Sequence, residues 1–431
     1  MQTHFTPEQL RDPHIRESER ILRNCVHCGF CLPTCPTYHL SGDELESPRG
    51  RIYLIKEMLE NEQTPSPEVV KHIDQCLSCL SCMTTCPSGV NYMHLIDEGR
   101  AYIETIYRRP FLDRMKRRLF AAVLPSPRRF YLALKAAQWT KFLQPLLPGR
   151  LRRMARIASA DIMQPAAPQL QSVYKTTASR RGAVGLLAGC VQQVTDNDIN
   201  GATIRVLNHL GYDVHILKAD CCGAIEHHLG KRAAAEKRVA GNIRSWSDQV
   251  EQHELAAVIV NASGCGTMLK DYEYIMRQDE ALAEGAAAVS RLCRDITEYL
   301  VELDPDIPET MAGGDLKVAY QNPCSMQHGQ GIRQPPVKLL TACGYRVLPI
   351  KNDHFCCGSA GTYNLMQPHI AEELGRRKAA DIEAVQPDVI ASGNLGCMTQ
   401  LAAYTDIPIR HTIQLLDEAL TLSTGNSDSP G

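Results

Sequence analysis

The stretch "CVHCGFCLPTCP", Cys25 to Pro36, returns as "CLSCLSCMTTCP", Cys76 to Pro87. Each is C-x2-C-x2-C-x3-C-P. Three cysteines at intervals of three wrap three corners of an iron-sulfur cube, and a fourth, followed by proline, turns away to the neighbouring cube. That rule groups Cys25, Cys28, Cys31 and Cys86 around one 4Fe-4S cluster, and Cys76, Cys79, Cys82 and Cys35 around another. Gly29, Ser78 and Ser81 are small enough to let backbone N–H groups approach the sulfurs, which helps set reduction potential. The competing chemistry is a pair of four-thiolate zinc sites, although zinc ligands usually come as two C-x2-C pairs rather than as full runs ending in proline.

Ten of the 18 cysteines lie elsewhere, and eight of these form a second repeat. Cys190, Cys221, Cys222 and Cys265 are followed by Cys324, Cys356, Cys357 and Cys397 at offsets of 134, 135, 135 and 132 residues. Four landmarks at a near-constant offset mark an internal duplication. Each set is a candidate for a further cluster, for zinc, or for a reactive dithiol. Adjacent cysteines fit one zinc tetrahedron poorly, whereas Gly223 and Gly358 leave room for the backbone to approach a bulky cluster. Cys293, at helical spacing with Ile296 and Leu300, and Cys343, before a helix-ending glycine, read as core residues. His27, His227, His228, His328 and His354 lie near cysteines but read as neighbours rather than ligands.

Elements that hold these residues follow from the surrounding pattern. "SPRGRIYLIKEMLE" puts Ile52, Ile55, Met58 and Leu59 on one helical face, with Ser47 as N-cap and Pro48 in the first turn, so the opening module is expected to be helical. In the duplicated half, "GAVGLLAGC", a helix from Asp196 to Gly211, "YDVHIL", "CCGA", "KRAAAEKRVAGNI" and "AAVIVNAS" predict β-α-β-α-β. The second copy repeats that order, with a cysteine after every strand. Loops at the carboxyl ends of parallel strands converge on one crevice, where distant cysteines would meet. The expected fold class is mixed α+β and α/β: a helical two-cluster ferredoxin-like module over 1–100, a basic aromatic helical segment over 101–180, parallel α/β domains over 181–312 and 313–418, and a disordered polar tail over 419–431.

At 431 residues the chain can bury cores without disulfide staples. "MQTHFTPEQLRDPHIRESERIL" carries no secretory signal, so cytoplasmic thiols are expected to be metal ligands rather than disulfides. The net charge of -2 argues against nucleic acid and hides an asymmetry. Residues 108–153 hold thirteen Lys and Arg against the single acid Asp113, which is +12 and leaves -14 for the remainder. Phe111, Phe120, Phe130, Tyr131, Trp139 and Phe142 punctuate this basic block. It therefore reads as a surface for anionic lipid at the inner face of the cytoplasmic membrane, or as a docking face for another subunit.

A two-cluster module followed by two "CCG" domains resembles the iron-sulfur subunits of membrane-associated flavin dehydrogenases. The likeness is carried by "CVHCGFCLPTCPTY", "SPRGRIYLIKEM", "CLSCLSCMTTCPSGVNY", "CCGA" and "CCGSAGTYN", and over nearly the full chain it is greatest to the glycolate oxidase iron-sulfur subunits. That resemblance implies a complex oxidising glycolate to glyoxylate with FAD on separate flavoprotein subunits and a quinone-side acceptor. This chain has no G-x-G-x-x-G fingerprint and no candidate flavin site, so its expected cofactors are two 4Fe-4S clusters and one or two more in the CCG domains, and no catalytic residue is assigned. The alternatives are a CCG-cluster reductase similar to heterodisulfide reductases, an iron-sulfur subunit serving lactate or glycerol-3-phosphate dehydrogenase, or CCG domains acting only as scaffold. The fuller reductase pattern ends in C-x-x-C, whereas Cys265 and Cys397 are followed three places on by Met268 and Gln400.

Overall fold

The computed structural model describes residues 1–139, 170–219, 221–303 and 316–425. Helices Pro13–Asn24, Pro48–Glu60, Pro67–Asp74 and Tyr92–Ile106 build the first module. Three of them begin with proline behind a capping side chain, Asp12, Ser47 or Ser66, so backbone donors that a helix start leaves unpaired are satisfied. Their inward faces bury Ile21, Leu22, Ile55, Ile73, Leu95 and Ile103, against which the cysteine loops rest. The last of these helices runs through the expected boundary at residue 100 because its apolar stripe continues to Ile103.

Helices Phe111–Val123 and Pro127–Trp139 follow as a hairpin. Its root is electrostatic: Arg109 and Arg117 reach Asp74 at 2.7 and 2.8 Å, all three largely buried. Phe130 and Leu134 then pack on Val194 of the next domain. Phe142 and the basic residues beyond 139 lie outside the described residues.

The duplicated half contains two sheets. In the first, β1 (Val173–Tyr174), β2 (Gly182–Leu187), β3 (Tyr212–Ile216), β4 (Leu255–Val260) and β5 (Cys293–Asp295) lie in the order β1-β3-β2-β4-β5. All pairings are parallel except the antiparallel β1 edge. In the second, β6 (Lys317–Gln321), β7 (Arg346–Leu348), β8 (Val389–Ser392) and β9 (Ile409–His411) lie in the order β7-β6-β8-β9, all parallel. Each copy is thus a four-strand parallel unit, one strand more than the β-α-β-α-β expectation. The extra strands have three residues each, too short for a periodicity signal.

Several boundaries move for physical reasons. β1 belongs to the segment expected as linker up to 180, because its edge pairs with β3. Cys293 opens β5 rather than lying on a helix, though it is fully buried. The helix expected from Asp196 is Asp198–His209, with Asn197 at its cap. Residues 419–425, expected in the tail, continue the helix Thr412–Gly425, since Ala419 is buried in the core. Residues 426–431 and the expected boundary at 312 lie outside the described residues.

That last helix joins the copies. It packs on Asp198–His209 of the first unit, with Gln414 donating to Asp198 and Arg205 pairing with Asp417. One core accordingly runs from Val184 and Ile199 through Val318 and Leu340 to Ile413 and Leu416.

Candidate metal centres

The two opening loops share a backbone signature. His27 and Gly29 in the first, Ser78 and Leu80 in the second, stand two and four places after the leading cysteine with φ of 55°, 86°, 48° and 62°. Left-handed residues at alternate positions curl successive N–H groups inward into a concave nest suited to anionic sulfur. Leu80 adopts this conformation without being glycine, a strain of roughly 1–2 kcal/mol held by the packed surroundings.

Cys25, Cys28, Cys31 and Cys86 line one cavity, together with Cys82. Cys35, Cys76, Cys79 and Cys82 line a second, and Pro48, Cys82 and Tyr92 form walls of both. Cys35 reaches the second cavity as the cap of the helix Pro36–Ser41, where Pro36 turns the chain away. Donors gather at the second set: Ser78 N–H to Cys76 Sγ at 3.4 Å and Tyr92 hydroxyl to Cys76 Sγ at 3.7 Å, while Thr37 Oγ1, which donates to the Glu46 carbonyl at 2.6 Å, lies 3.3 Å from Cys35 Sγ. Burial raises the Cys31 thiol to about 11 and pushes Cys79 and Cys82 well above the ordinary thiol range. Thiols this reluctant to ionise in a dry site are stabilised as thiolates by metal, with release of protons.

These residues fit cage clusters better than single ions. A zinc tetrahedron with Zn–S of about 2.3 Å brings its sulfurs within about 3.8 Å of one another. Among the described residues no three His, Cys, Asp or Glu side chains converge to hold one metal ion. In a cubane each thiolate meets a different iron, so a looser set of four around a concave nest is what the chemistry requires.

The duplicated cysteines also gather, each set in one cavity or apolar cluster, without closing on a single ion. In the second unit Cys324, Cys356, Cys357 and Cys397 line a cavity of about 190 Å³ shared with Cys76, Leu77, Tyr363 and Asn394. Gly358 N–H points at Cys356 Sγ at 3.4 Å, and Cys324 and Cys356 sulfurs stand 3.9 Å apart. In the first unit Cys190, Cys221, Cys222 and Cys265 touch in sequence within an apolar cluster including Val239, Met268 and Tyr272. Met268 and Gln400, where the longer pattern has cysteine, are both buried, and Gln400 donates to Ala371 O at 2.9 Å.

A relative from Escherichia coli, the "Glycolate oxidase iron-sulfur subunit", is 38% identical over 97% of this chain and 99% of its own length. The chain belongs to the glycolate oxidase iron-sulfur subunit family. Consistently, residues 21–90 match the 4Fe-4S dicluster domain and residues 184–270 and 318–402 the Cysteine-rich domain, so this family member carries iron-sulfur clusters and is an iron-sulfur electron-transfer subunit. The "Probable glycolate oxidase iron-sulfur subunit" of Bacillus subtilis is 30% identical over 90% of this chain and 89% of its own length. A crystal structure of a hypothetical protein from Helicobacter pylori shares the fold, with TM-score 0.53 at 9% identity over 96% of this chain and 74% of its own.

Several residues around these cysteine sets are not legible in the sequence. Arg51, fully buried, bonds the His72 carbonyl and Glu46 and stands 4.0 Å from Cys35 Sγ. Arg100 ties Ser78 Oγ and the Cys76 carbonyl. Tyr363 of the second unit donates to the Gln75 carbonyl, and His328 contacts Thr84 Oγ1 at 2.7 Å, so the second motif is clasped by the second cysteine-rich unit. Arginine inside a helix normally signals solvent, and contacts 244 or 288 residues apart leave no local trace. The other histidines have partners elsewhere: His27 at Met1 Sδ, His227 and His228 at Asp97, His354 on Phe355.

Proposed function

We propose that this chain is the electron-transfer subunit of a complex that oxidises glycolate, or a related 2-hydroxy acid, on FAD-binding flavoprotein subunits. Cys25, Cys28, Cys31 and Cys86 would hold one 4Fe-4S cluster, Cys76, Cys79, Cys82 and Cys35 the other, and Cys324, Cys356, Cys357 and Cys397 a third. When bound, such clusters accept and donate single electrons. The observation that carries this reading is the exchange of Cys35 and Cys86 between adjoining cavities with shared walls, which sets two redox centres side by side. Leu77, Cys79, Cys356 and Tyr363 pack together, so the second-unit set adjoins the second of these centres. The chain's own residues keep water out, fix the sulfurs and supply N–H and O–H donors to them. The first-unit set remains a candidate for a further cluster.

A cysteine-rich-domain reductase is the other reading, and the cavity beside Cys324 is what favours it. Against it, Met268 and Gln400 fill both positions where a fifth thiolate would stand.

The hairpin supplies the proposed membrane contact. Phe111, Leu112, Met115 and Leu119 are exposed and, at 100° per residue, occupy one arc of about 100°. Arg114 and Arg118 flank that arc on one side and Lys116 on the other, while Arg117 and Phe120 face inward. An apolar stripe between basic shoulders fits the interface of an anionic bilayer, which the complex would touch peripherally on its cytoplasmic side. Among the described residues no helix is long and apolar enough to cross a membrane.

The test is addition of glycolate to the anaerobic complex with EPR detection. Appearance of reduced-cluster signals that vanish in Cys76→Ser supports the reading; clusters that dithionite reduces but no 2-hydroxy acid does would sink it.

A further inference from the structure

Of the eight motif cysteines only Cys28 is exposed; Cys31 and Cys86 are half-buried and the other five are buried. The second centre is roofed by the second cysteine-rich unit, so the first alone has a thiol at the surface. Around that thiol the surface is unusually apolar. Val26 and Phe30 flank Cys28 with 66% and 64% of their areas exposed, and Leu45 and Tyr53 add 39% and 50%.

The backbone that carries these side chains is held in place. The Val26–Phe30 loop is fixed by the left-handed His27 and Gly29. Arg49 Nη1 donates to the His27 carbonyl at 3.2 Å and its Nε pairs with Glu44 at 2.6 Å. A Cβ on Gly29 would meet Arg49 at 3.1 Å, so loop and helix are in contact. Tyr53 lies one turn beyond Arg49, and the Leu45 backbone abuts Gly50. Exposing large apolar groups on a rigid loop is costly in water unless a partner covers them. Arg49 thus links the loop and the helix that carry these apolar groups, and arginine and aromatic residues are enriched in interface cores.

We infer that the face formed by Val26, Phe30, Leu45 and Tyr53 around Arg49 and Cys28 is the docking surface for the flavin-bearing subunit of the complex. An electron-exchanging partner must bring its prosthetic group close to the centre with water excluded, and this is the face where a motif thiol meets solvent. The hairpin proposed for the membrane side is rooted at Asp74, two residues before the second motif, so the first centre is the one left open to the electron donor. The inference rests on the electron-transfer reading above and adds which centre faces the flavoprotein. It separates this face from the hairpin, which carries five of the ten large exposed hydrophobics among the described residues.

The experiment compares wild type with Phe30→Glu, Tyr53→Glu and, on the hairpin, Leu119→Glu. Affinity for the purified flavin-bearing subunit is measured by calorimetry, iron content and the EPR spectrum of the dithionite-reduced chain being recorded in parallel. Both aromatic substitutions are expected to weaken binding at least tenfold, Tyr53→Glu with iron and spectrum unchanged, and Leu119→Glu to leave affinity as it was. Should Phe30→Glu also shed iron, Tyr53→Glu, whose side chain is off the motif, decides alone. Wild-type affinity in Tyr53→Glu, or loss in Leu119→Glu instead, overturns the assignment. A loss of self-association or of binding to phosphatidylglycerol vesicles, with flavoprotein affinity intact, also overturns it. A wild-type chain that loads iron yet binds no flavoprotein refutes the electron-transfer reading itself.

Discussion

Replacing Arg51 by glutamine should lower the reduction potential of one cluster and leave its neighbour nearly untouched. The guanidinium is about 1% exposed, with Nε on the His72 carbonyl at 2.7 Å, Nη1 on Thr37 at 3.0 Å and Nη2 on Glu46 at 2.6 Å. Burial works against its charge, but Cys76, Tyr92, Cys35 and Glu46 outweigh that and hold it protonated. Nη1 stands 4.0 Å from Cys35 Sγ. At an effective dielectric of ~20, a unit charge at that distance is worth about 4 kcal/mol to an electron on the sulfur. Spreading the electron over the cage roughly halves this, and about 2 kcal/mol corresponds to ~90 mV for a one-electron couple. Arg51→Gln should therefore shift the midpoint of the Cys35-ligated cluster down by that order, whereas Glu46→Gln, which removes the opposing charge, should shift it up by less. Arg51→Gln also leaves the buried Glu46 without its guanidinium partner, at a cost of about 3–5 kcal/mol of stability. The assay is an EPR-monitored redox titration of both variants. A midpoint that stays put or rises in Arg51→Gln, or moves the same way in both, would refute the ligand assignment of Cys35.

Two other predictions follow from the packing. Gly358 and Gly223 occupy equivalent turns with φ of +87° and +92°, but a Cβ on Gly358 would sit 2.5 Å from the Ala371 carbonyl, against 3.4 Å from the movable Met268 Cε for Gly223. Gly223→Ala should cost roughly 1–2 kcal/mol from backbone strain; Gly358→Ala should cost more and strip metal from the second unit, which thermal melts and iron analysis of the two variants would show. His227, 3.3 Å from Asp97, couples the first cysteine-rich unit to the helical module. Burial lowers its pKa, yet Asp97 outweighs burial and raises it above 6.5, so its stabilisation is complete below that value and is lost as pH climbs through the raised one. Burial likewise raises the Asp97 carboxyl, but His227 and His228 prevail and hold it well below 3.8, so its contribution holds above that value and fades only as pH falls through the lowered one. Denaturant midpoints of His227→Gln should therefore fall short of wild type by more at about pH 6 than at about pH 9, and the reverse order would contradict the pairing.

The cysteine spacings make the two-motif module and the duplication legible, because ligand geometry fixes spacing more tightly than packing fixes apolar residues. The helix Pro48–Glu60 is readable from Ser47 and Pro48, whose capping role is local. β5 and β9 are not, being three residues long and defined by neighbours far away in sequence. Nor is the clasp of the second motif by Tyr363 and His328, since nothing in either segment encodes the other. Arg51 leaves no signal because its burial is made tolerable by Glu46, a partner outside its own helix. Residues 419–425 read as tail because a helix end with a small buried face, Ala419, is hard to tell from a polar extension.

Iron and acid-labile sulfide per chain in anaerobically purified protein, with zinc measured on the same sample, test most directly whether this chain carries electrons. Three four-iron cages predict about twelve irons and as many sulfides, of which about eight persist when Cys324, Cys356, Cys357 and Cys397 are replaced by serine. Little iron with stoichiometric zinc would contradict the electron-transfer role.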